Sequence, residues 1–288
     1  ATNVTVIRLV VPARAHRWIG HGEAETQAIY ARLLRGYLAQ EGADAPTLWF
    51  YTPMALPFFD SLPHRGAVYD VMDELSTFKG APAGLLEQAD TLLKRADAVF
   101  TGGVGMWRAR EGKSSNLHLF PSGVDAGHFA AAREGLPCPE DMKFINGPVL
   151  GYFGVIDERM DLELLEYLAT ERPDWQLVMV GPVVKISEAD LPQAPNLHYL
   201  GMKAYEDLPA YLAQFDVALI PFAMNDTTKF LSPTKTLEYL AGGKSVVSTP
   251  LPDVVELYGD AVHIGGTKEA FLDEVEVALK DAGEKSIA

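Results

Sequence analysis

The chain has 288 residues, 48% of them apolar, and a chain of this length most naturally forms two domains of roughly 100–200 residues each. Its formal net charge is −15: residues 1–140 hold 13 Lys/Arg against 15 Asp/Glu, whereas residues 141–288 hold 11 against 24. This acidic balance excludes nucleic-acid binding, which needs a basic surface, and the single cysteine, Cys138, excludes an internal disulfide framework.

No apolar run approaches the roughly 20 residues of a membrane span, so we expect a soluble cytoplasmic protein. The chain begins with Ala and enters the strand-like run VTVIRLVV almost at once, and we expect a preceding portion to be absent. Residues 8–20 (RLVVPARAHRWIG) gather basic and aromatic side chains around apolar ones. This pattern suits peripheral contact with the inner face of a membrane, or alternatively an acceptor-side loop or a surface cation–π pair.

Short apolar runs alternate along the chain with longer amphipathic segments, which predicts an α/β fold with parallel sheets. The predicted strands are residues 4–11, 46–51, 66–71, 97–102, 117–122, 149–154, 175–181, 196–201, 217–222, 245–249 and 261–265. Clear helical patterns are Glu23–Gln40, Gly84–Arg95, Leu162–Glu171, Leu208–Gln214, Thr234–Ala241 and Lys268–Lys280. Residues 130–148 contain three prolines and interrupt this rhythm, so we predict a linker there and domains at 1–140 and 141–288.

The sequence SPTK, residues 232–235, predicts the start of a helix that could bind an anion. Ser232 suits the N-cap and Pro233 the first helical position. The free backbone donors of the first turn and the charge of Lys235 would suit a diphosphate. Glu238 lies three positions later on nearly the same helix face, where its carboxylate could accept two ribose hydroxyls. Capped helices are common in α/β proteins, so these residues alone leave a purely structural role open.

The run 232–250 (SPTKTLEYLAGGKSVVSTP) resembles the donor-binding helix of GT-B glycosyltransferases, particularly family 4 (group 1) and its relatives. Three further blocks agree and keep their order, at 149–169, 172–183 and 196–222, and residues 117–129 resemble the segment that enters the family's linker. The resemblance implies a GT-B fold, two Rossmann-like domains with a cleft between them. It also implies sugar transfer from a nucleoside-diphosphate sugar to a hydroxyl acceptor in polysaccharide, glycolipid or cell-envelope glycan synthesis.

Matching the family position by position implies a donor site in the second domain. Phosphates would meet Gly154, Arg159 and Lys235, the ribose would meet Glu238, and Asp226 or Asn225 would reach the sugar. Backbone groups around Gly181, Pro182, Leu200 and Met202 would hold the nucleobase. The complete set of donor-binding candidates is Gly154, Arg159, Gly181, Pro182, Leu200, Met202, Asp226, Ser232, Thr234, Lys235 and Glu238.

Four positions depart from the family pattern, and the first is Ser122, where the family usually has Asn. Val155 replaces the basic residue that follows the glycine, and Phe230 replaces the first glutamate of a pair whose second member is Glu238. In the first domain, Met72 replaces the histidine of a His-Asp pair. These departures keep two alternatives open: a GT-B epimerase acting on the nucleotide sugar, and a non-catalytic module that binds nucleotide sugar or a partner protein.

The candidate catalytic residues lie in YDVMDEL, residues 69–75. A predicted strand ends near Asp70, and the following acids stand at a carboxyl edge, where open α/β sheets bind ligands. We predict that Asp73 deprotonates or orients the acceptor hydroxyl, with Asp70 as a second candidate or as its structural partner. The alternative is that the acids cap a helix beginning near Ser76.

We expect no cofactor and no metal ion. The metal-dependent GT-A enzymes would need an Asp-x-Asp triplet, which the chain lacks. In a GT-B site, Lys and Arg side chains and a helix start can take the place of the metal. The expected partners are therefore a nucleotide sugar and a glycan or lipid-linked acceptor.

Overall fold

The computed structural model describes residues 4–8, 10, 24–77, 81 and 83–287, and the chain forms two compact units, Ala1–Pro121 and Ser122–Ala288. The strands are β1 Thr47–Phe50, β2 Gly66–Val71, β3 Ala98–Thr101, β4 Leu117–Leu119, β5 Val149–Phe153, β6 Gln176–Val180, β7 Leu197–Gly201, β8 Val217–Ile220, β9 Ser245–Ser248 and β10 His263–Ile264. The α-helices are α1 Ala24–Gln40, α2 Leu85–Arg95, α3 Val104–Arg108, α4 Ala126–Ala130, α5 Leu162–Glu171, α6 Leu208–Ala213, α7 Lys235–Ala241, α8 Pro252–Tyr258 and α9 Lys268–Ile287.

The alternation of strands and helices confirms the predicted α/β fold. One of the predicted strands is wrong. The run 4–11 was predicted to be a strand, but its described residues, 4–8 and 10, form none. Val4, Val6 and Val10 are largely exposed. β-Branched residues favour a strand mainly through packing against neighbouring strands, and no described strand pairs with this segment.

The N-terminal unit, Ala1–Pro121, contains a four-stranded sheet in the order β1-β2-β3-β4, with every pair parallel. One face of this sheet is buried, as the alternation of Ala67, Tyr69 and Val71 along β2 shows. Helix α2 packs near it through a stripe formed by Leu85, Ala89, Leu92 and Leu93. The opposite face carries exposed aromatic side chains, among them Trp49 and Phe120.

The C-terminal unit, Ser122–Ala288, contains a six-stranded parallel sheet in the order β10-β9-β8-β5-β6-β7. Numbered within the unit and read from β7, this is the 3-2-1-4-5-6 order of a Rossmann fold. Strands β5 and β8 lie side by side, and every residue of both is buried. The strand order reverses between them, and ligands of open α/β sheets bind beyond the carboxyl ends of the strands at such a point.

The predicted linker, residues 130–148, belongs to the C-terminal unit. Phe129, at the end of α4, is fully buried and stacks on Phe153 with ring centroids 5.7 Å apart. Ala132 and Met142 are also buried in the core of this unit. The compact units divide between Pro121 and Ser122, earlier than the predicted boundary near residue 140. The prolines do mark irregular backbone, but this backbone packs onto the second core.

Among the described residues, no helix is long and apolar enough to span a membrane. In the basic and aromatic segment 8–20, residues 9 and 11–20 lie outside the described residues.

Candidate functional site

Two glycines bring the loops after β5 and β6 together at the carboxyl edge of the C-terminal sheet. Gly154 and Gly181 have φ angles of 140° and 148°, which L side chains rarely adopt. Gly154 N donates a 2.8 Å hydrogen bond to Val180 O, and a Cβ on Gly181 would lie 1.8 Å from Gly154 O. Neither position has room for a side chain, so bare backbone lines this edge beside the switch point.

Lys235 reaches this backbone from the first residue of α7. A Cβ on Gly154 would lie 2.1 Å from Lys235 Cε and 2.7 Å from its Nζ. The ammonium also lies over the ring of Tyr152, 5.7 Å from the centroid. Tyr152 is fully buried and its hydroxyl donates to Val155 O at 2.8 Å, which fixes the loop beneath the ammonium. The structure thus brings together Gly154 and Lys235, two of the predicted phosphate-binding residues.

The start of α7 differs from the prediction. The N-cap is Thr234, in helical conformation and without a side-chain cap bond to the helix backbone, and the helix proper begins at Lys235. Ser232 and Pro233 precede it in a turn in which Thr236 N donates to Pro233 O at 3.2 Å. The predicted cap at Ser232 is therefore wrong by two residues, because the helix starts later than Pro233. In a helix of only seven residues, the positive charge of this edge resides mainly on Lys235.

The surroundings of Lys235 suit an anionic ligand. Burial lowers the pKa of Lys235 and Arg159 lowers it further, while Glu238 and Asp157 act in the opposite direction. Two further cations of this unit have carboxylate partners. Arg159 forms an ion pair with Asp157, and Lys185 forms one with Glu158. Since burial disfavours the charged form of Lys235, an anion placed beside it would relieve part of that cost.

Glu238, one turn into α7, is a partly buried carboxylate. Burial raises its pKa, while the charge of Lys235, a hydrogen bond from the Thr234 side chain and the charge of His128 lower it. Lys235 and Thr234 therefore favour the ionised form that would accept hydroxyl hydrogen bonds. The predicted pair of Lys235 and Glu238 on one helix face is present.

Sequence reasoning missed an aromatic pair beside Glu238. The rings of His128 and Tyr205 stack with centroids 4.4 Å apart and an angle of 13° between planes. His128 Nε2 also lies 3.0 Å from Tyr205 O, and Tyr205 is half exposed. The two residues are 77 positions apart in sequence. No local pattern links them, and only the GVDAGHF segment that contains His128 pointed to this region.

The remaining predicted donor residues lie near or just after the ends of β6 and β7, at the same sheet edge. Gly181 and Pro182 follow β6, and Pro182 O accepts a hydrogen bond from Ile156 N at 3.0 Å. Leu200 lies in β7, and Met202 follows this strand and is 77% exposed. The Met202 side chain thus has little contact with the protein, and its role at the nucleobase stays a prediction.

The loop after β8 holds the predicted sugar contacts. Asn225 Oδ1 accepts hydrogen bonds from Thr227 N at 2.9 Å and Thr228 N at 3.1 Å, so this side chain shapes the loop. Asp226 beside it is exposed. Phe230, at the position of the family's first glutamate, lies under the Lys229 ammonium at 5.5 Å. Asp226 is therefore the better placed of the two sugar-contact candidates, and its role stays a prediction.

The acidic residues of the N-terminal unit differ in their partners. Asp70 Oδ2 accepts a hydrogen bond from Trp49 Nε1 at 3.2 Å. Glu74 accepts from Ser76 Oγ at 2.6 Å and forms an ion pair with Arg110, whose side chain is 7% exposed. Thr77 N donates to Glu74 O, and the helix expected near Ser76 is one 3-10 turn, Leu75–Thr77. Glu74 thus has a structural role, while Asp73, in the same loop, stays the predicted base.

The described residues contain no group of three or more His, Cys, Asp or Glu side chains that could hold a metal ion. Metal independence of the site stays a prediction.

Comparison with known proteins finds similarity in the C-terminal unit. Residues 147–281 match the family model of the Glycosyl transferases group 1. TuaH of Bacillus subtilis (strain 168), assigned as a teichuronic acid biosynthesis glycosyltransferase, is 27% identical over 195 residues. The alignment covers 64% of this chain and 46% of TuaH, so the chain spans about half the length of this relative.

Solved structures show the same architecture. Sucrose-phosphate synthase from Thermosynechococcus elongatus superposes with a TM-score of 0.68 at 16% identity, over 90% of this chain and 70% of that one. HepE from Anabaena, crystallised with UDP, superposes with a TM-score of 0.64 at 17% identity, over 86% of this chain and 73% of HepE. Trehalose 6-phosphate synthase from Burkholderia multivorans superposes with a TM-score of 0.64 at 14% identity, over 89% of this chain and 69% of the synthase. Residues 147–281 therefore resemble the group 1 glycosyltransferases, and the chain has the GT-B fold, with two Rossmann-like domains.

Proposed function

We propose that this chain takes part in glycosyl transfer from a nucleoside-diphosphate sugar to a hydroxyl of a glycan or lipid-linked acceptor, in the synthesis of a polysaccharide, glycolipid or other cell-envelope glycan. The observation that carries the proposal is the Lys235 ammonium held against Gly154, with Glu238 one turn away. The UDP complex of HepE and the assignment of TuaH to teichuronic acid synthesis support it.

The chemistry would be electrostatic. Lys235 and Arg159 would stabilise the diphosphate as it leaves the sugar, since fixed charges aimed at developing negative charge are strong catalytic groups in a partly buried site. Lys235 and Arg159 would take the place of the divalent metal that other transferases use, so we propose that no metal is required. Glu238 would hold the ribose, and Asp73 of the N-terminal unit would act on the acceptor hydroxyl.

The proposed location is the cytoplasm, with peripheral contact at the inner face of a membrane through residues 8–20. Basic and aromatic side chains in that segment support the contact, because this composition favours the interface of anionic lipids.

The proposed activity is tested by incubating the chain with UDP-, GDP- and ADP-sugars, with and without glycan acceptors, and measuring the nucleoside diphosphate released. We expect release from one donor class, slow without acceptor and faster with it. Conversion of one nucleotide sugar into another without acceptor would instead identify an epimerase. Donor binding without release under any condition would indicate a non-catalytic module.

Replacing Glu238 tests the ribose assignment. Wild-type chain should bind its preferred nucleoside diphosphate roughly 10- to 100-fold more tightly than the 2′-deoxy analogue, because hydrogen bonds to a charged group contribute about 1.5–3 kcal/mol. Glu238→Gln should lose most of this preference in calorimetric titrations. Glu166→Gln, at an exposed position of α5, is the matched control and should keep it. An equal preference in wild type and Glu238→Gln would remove Glu238 from the ribose site.

A further inference from the structure

Asp157 and Arg159 form a closed pair in the loop after β5. The Asp157 carboxylate is 2% exposed. Its Oδ1 accepts from Arg159 N at 3.1 Å and from Arg159 Nε at 2.9 Å, and its Oδ2 accepts from Nη2 at 2.8 Å. Because the carboxylate binds both the backbone and the guanidinium of Arg159, it fixes the direction of the whole side chain.

The loop that carries this pair is tied to both neighbouring loops. Ile156 N donates to Pro182 O at 3.0 Å, which joins it to the loop after β6. Ala223 N donates to Arg159 O at 2.8 Å, which joins it to the segment after β8. The Arg159 backbone is thus held on both sides of the switch point, and Asp157 then fixes the side chain.

The pair lies beside the predicted phosphate contacts. Arg159 and Asp157 both act electrostatically on Lys235 and on Tyr152, whose ring lies under the Lys235 ammonium. Arg159 retains 18% exposure of its side chain, and its guanidinium binds Asp157 through Nε and Nη2. The guanidinium therefore has one edge on Asp157 and lies within electrostatic reach of Lys235.

Two effects of Asp157 on a bound diphosphate would oppose each other. Its negative charge repels the phosphates, whereas its hydrogen bonds hold Arg159 in place to meet them. A buried ion pair is weak evidence for stability, because desolvation offsets the attraction between the partners. The sign of the change on removing the charge therefore separates a positioning role from a merely electrostatic one.

We propose that Asp157 is a positioning residue that orients the Arg159 guanidinium toward the diphosphate of the sugar donor. The inference rests on the proposed function, since it needs a nucleoside diphosphate at this edge. It assigns to the chain a guanidinium held by a buried carboxylate, in the same loop as Val155, which replaces the family's basic residue.

Calorimetric titration of four chains tests this: wild type, Asp157→Asn, Arg159→Gln and the double variant. The ligands are the nucleoside diphosphate that wild type prefers and the corresponding nucleoside without phosphates. Asp157→Asn should weaken diphosphate binding roughly tenfold, or about 1.4 kcal/mol, and leave nucleoside binding unchanged. In the Arg159→Gln background the same change should have no further effect, because the orientation of Arg159 is then irrelevant. Asp273→Asn, on the exposed side of α9, is the matched control.

Unchanged or tighter diphosphate binding by Asp157→Asn would overturn the inference, and so would an equal loss for the nucleoside, which indicates general damage to the site. If Asp157→Asn does not fold, Asp157→Glu replaces it. That variant keeps the charge but displaces the carboxylate, and it should likewise weaken only diphosphate binding. A wild-type chain that binds nucleosides but gains nothing from their phosphates would overturn the proposed function itself.

Discussion

Lys235→Met is expected to weaken binding of the nucleoside diphosphate roughly 10- to 100-fold, the range for loss of hydrogen bonds to a charged group. Sugar transfer should slow by about 10²–10³-fold, the usual effect of removing one group that stabilises developing negative charge. Methionine keeps the aliphatic length that packs along Gly154 and Tyr152, so the change removes mainly the ammonium. Calorimetry measures the first effect and initial transfer rates the second.

The stability of Lys235→Met distinguishes this result from misfolding. Because burial lowers the pKa of Lys235, its charge costs the folded chain free energy. The melting temperature of the variant should therefore not fall. Lys280→Met, on the exposed side of α9, makes the same chemical change away from the site and should keep full binding. Equal affinities of Lys235→Met and wild type would remove Lys235 from the phosphate site.

The same lowered pKa gives the binding of wild type a pH dependence. As pH rises through the lowered pKa, Lys235 loses its proton at a lower pH than an exposed lysine would. Affinity for the diphosphate should therefore fall at pH values below those at which an exposed lysine titrates, and Lys235→Met should not show this fall. Titrations at several alkaline pH values make the comparison, and parallel profiles for the two chains would contradict it.

Asp73→Asn is expected to lower the transfer rate by about 10²–10⁴-fold, the contribution typical of a positioned general base, with little change in donor affinity. The carboxylate lies after β2, at the carboxyl edge of the N-terminal sheet. Of its neighbours, Glu74 pairs with the buried Arg110 and Asp70 accepts the Trp49 indole N–H. The asparagine keeps the size of the side chain and removes its basicity.

Asp44→Asn, at an exposed position of the same unit, is the matched control and should transfer sugar at the wild-type rate. Calorimetry with the nucleoside diphosphate shows whether the donor site is intact in each variant. A fully active Asp73→Asn would exclude Asp73 as the base. Loss of donor binding together with transfer would instead mean that Asp73 supports the fold or the donor site.

The sequence predicted the sheet elements well because parallel strands in an α/β protein are short apolar runs that local composition reveals. Strands β5 and β8 are such runs, buried at every position. The run 4–11 has the same composition but forms no strand in its described residues, since a strand also needs a neighbour to pair with. Residues 130–148 were predicted as a linker because of their prolines. They belong to the second unit, where the neighbouring Phe129 is buried in the core.

At the site, the sequence predicted the contacts that lie close together along the chain. Lys235 and Glu238 are three residues apart, and helical spacing is enough to place them on one face. The placement of Lys235 against Gly154 depends instead on the strand order and on a glycine with positive φ. The stacking of His128 on Tyr205 joins residues 77 positions apart, which no local pattern could reveal.

The most direct test of the donor site is calorimetric titration of wild-type chain with UDP, GDP, ADP and CDP at neutral pH. We predict saturable binding of one of these nucleoside diphosphates with one site per chain, strongly weakened in Lys235→Met and retained in Lys280→Met. Absence of binding for all four, or binding that Lys235→Met leaves unchanged, would contradict the assignment of the β5–β8 switch point as the nucleotide-sugar site.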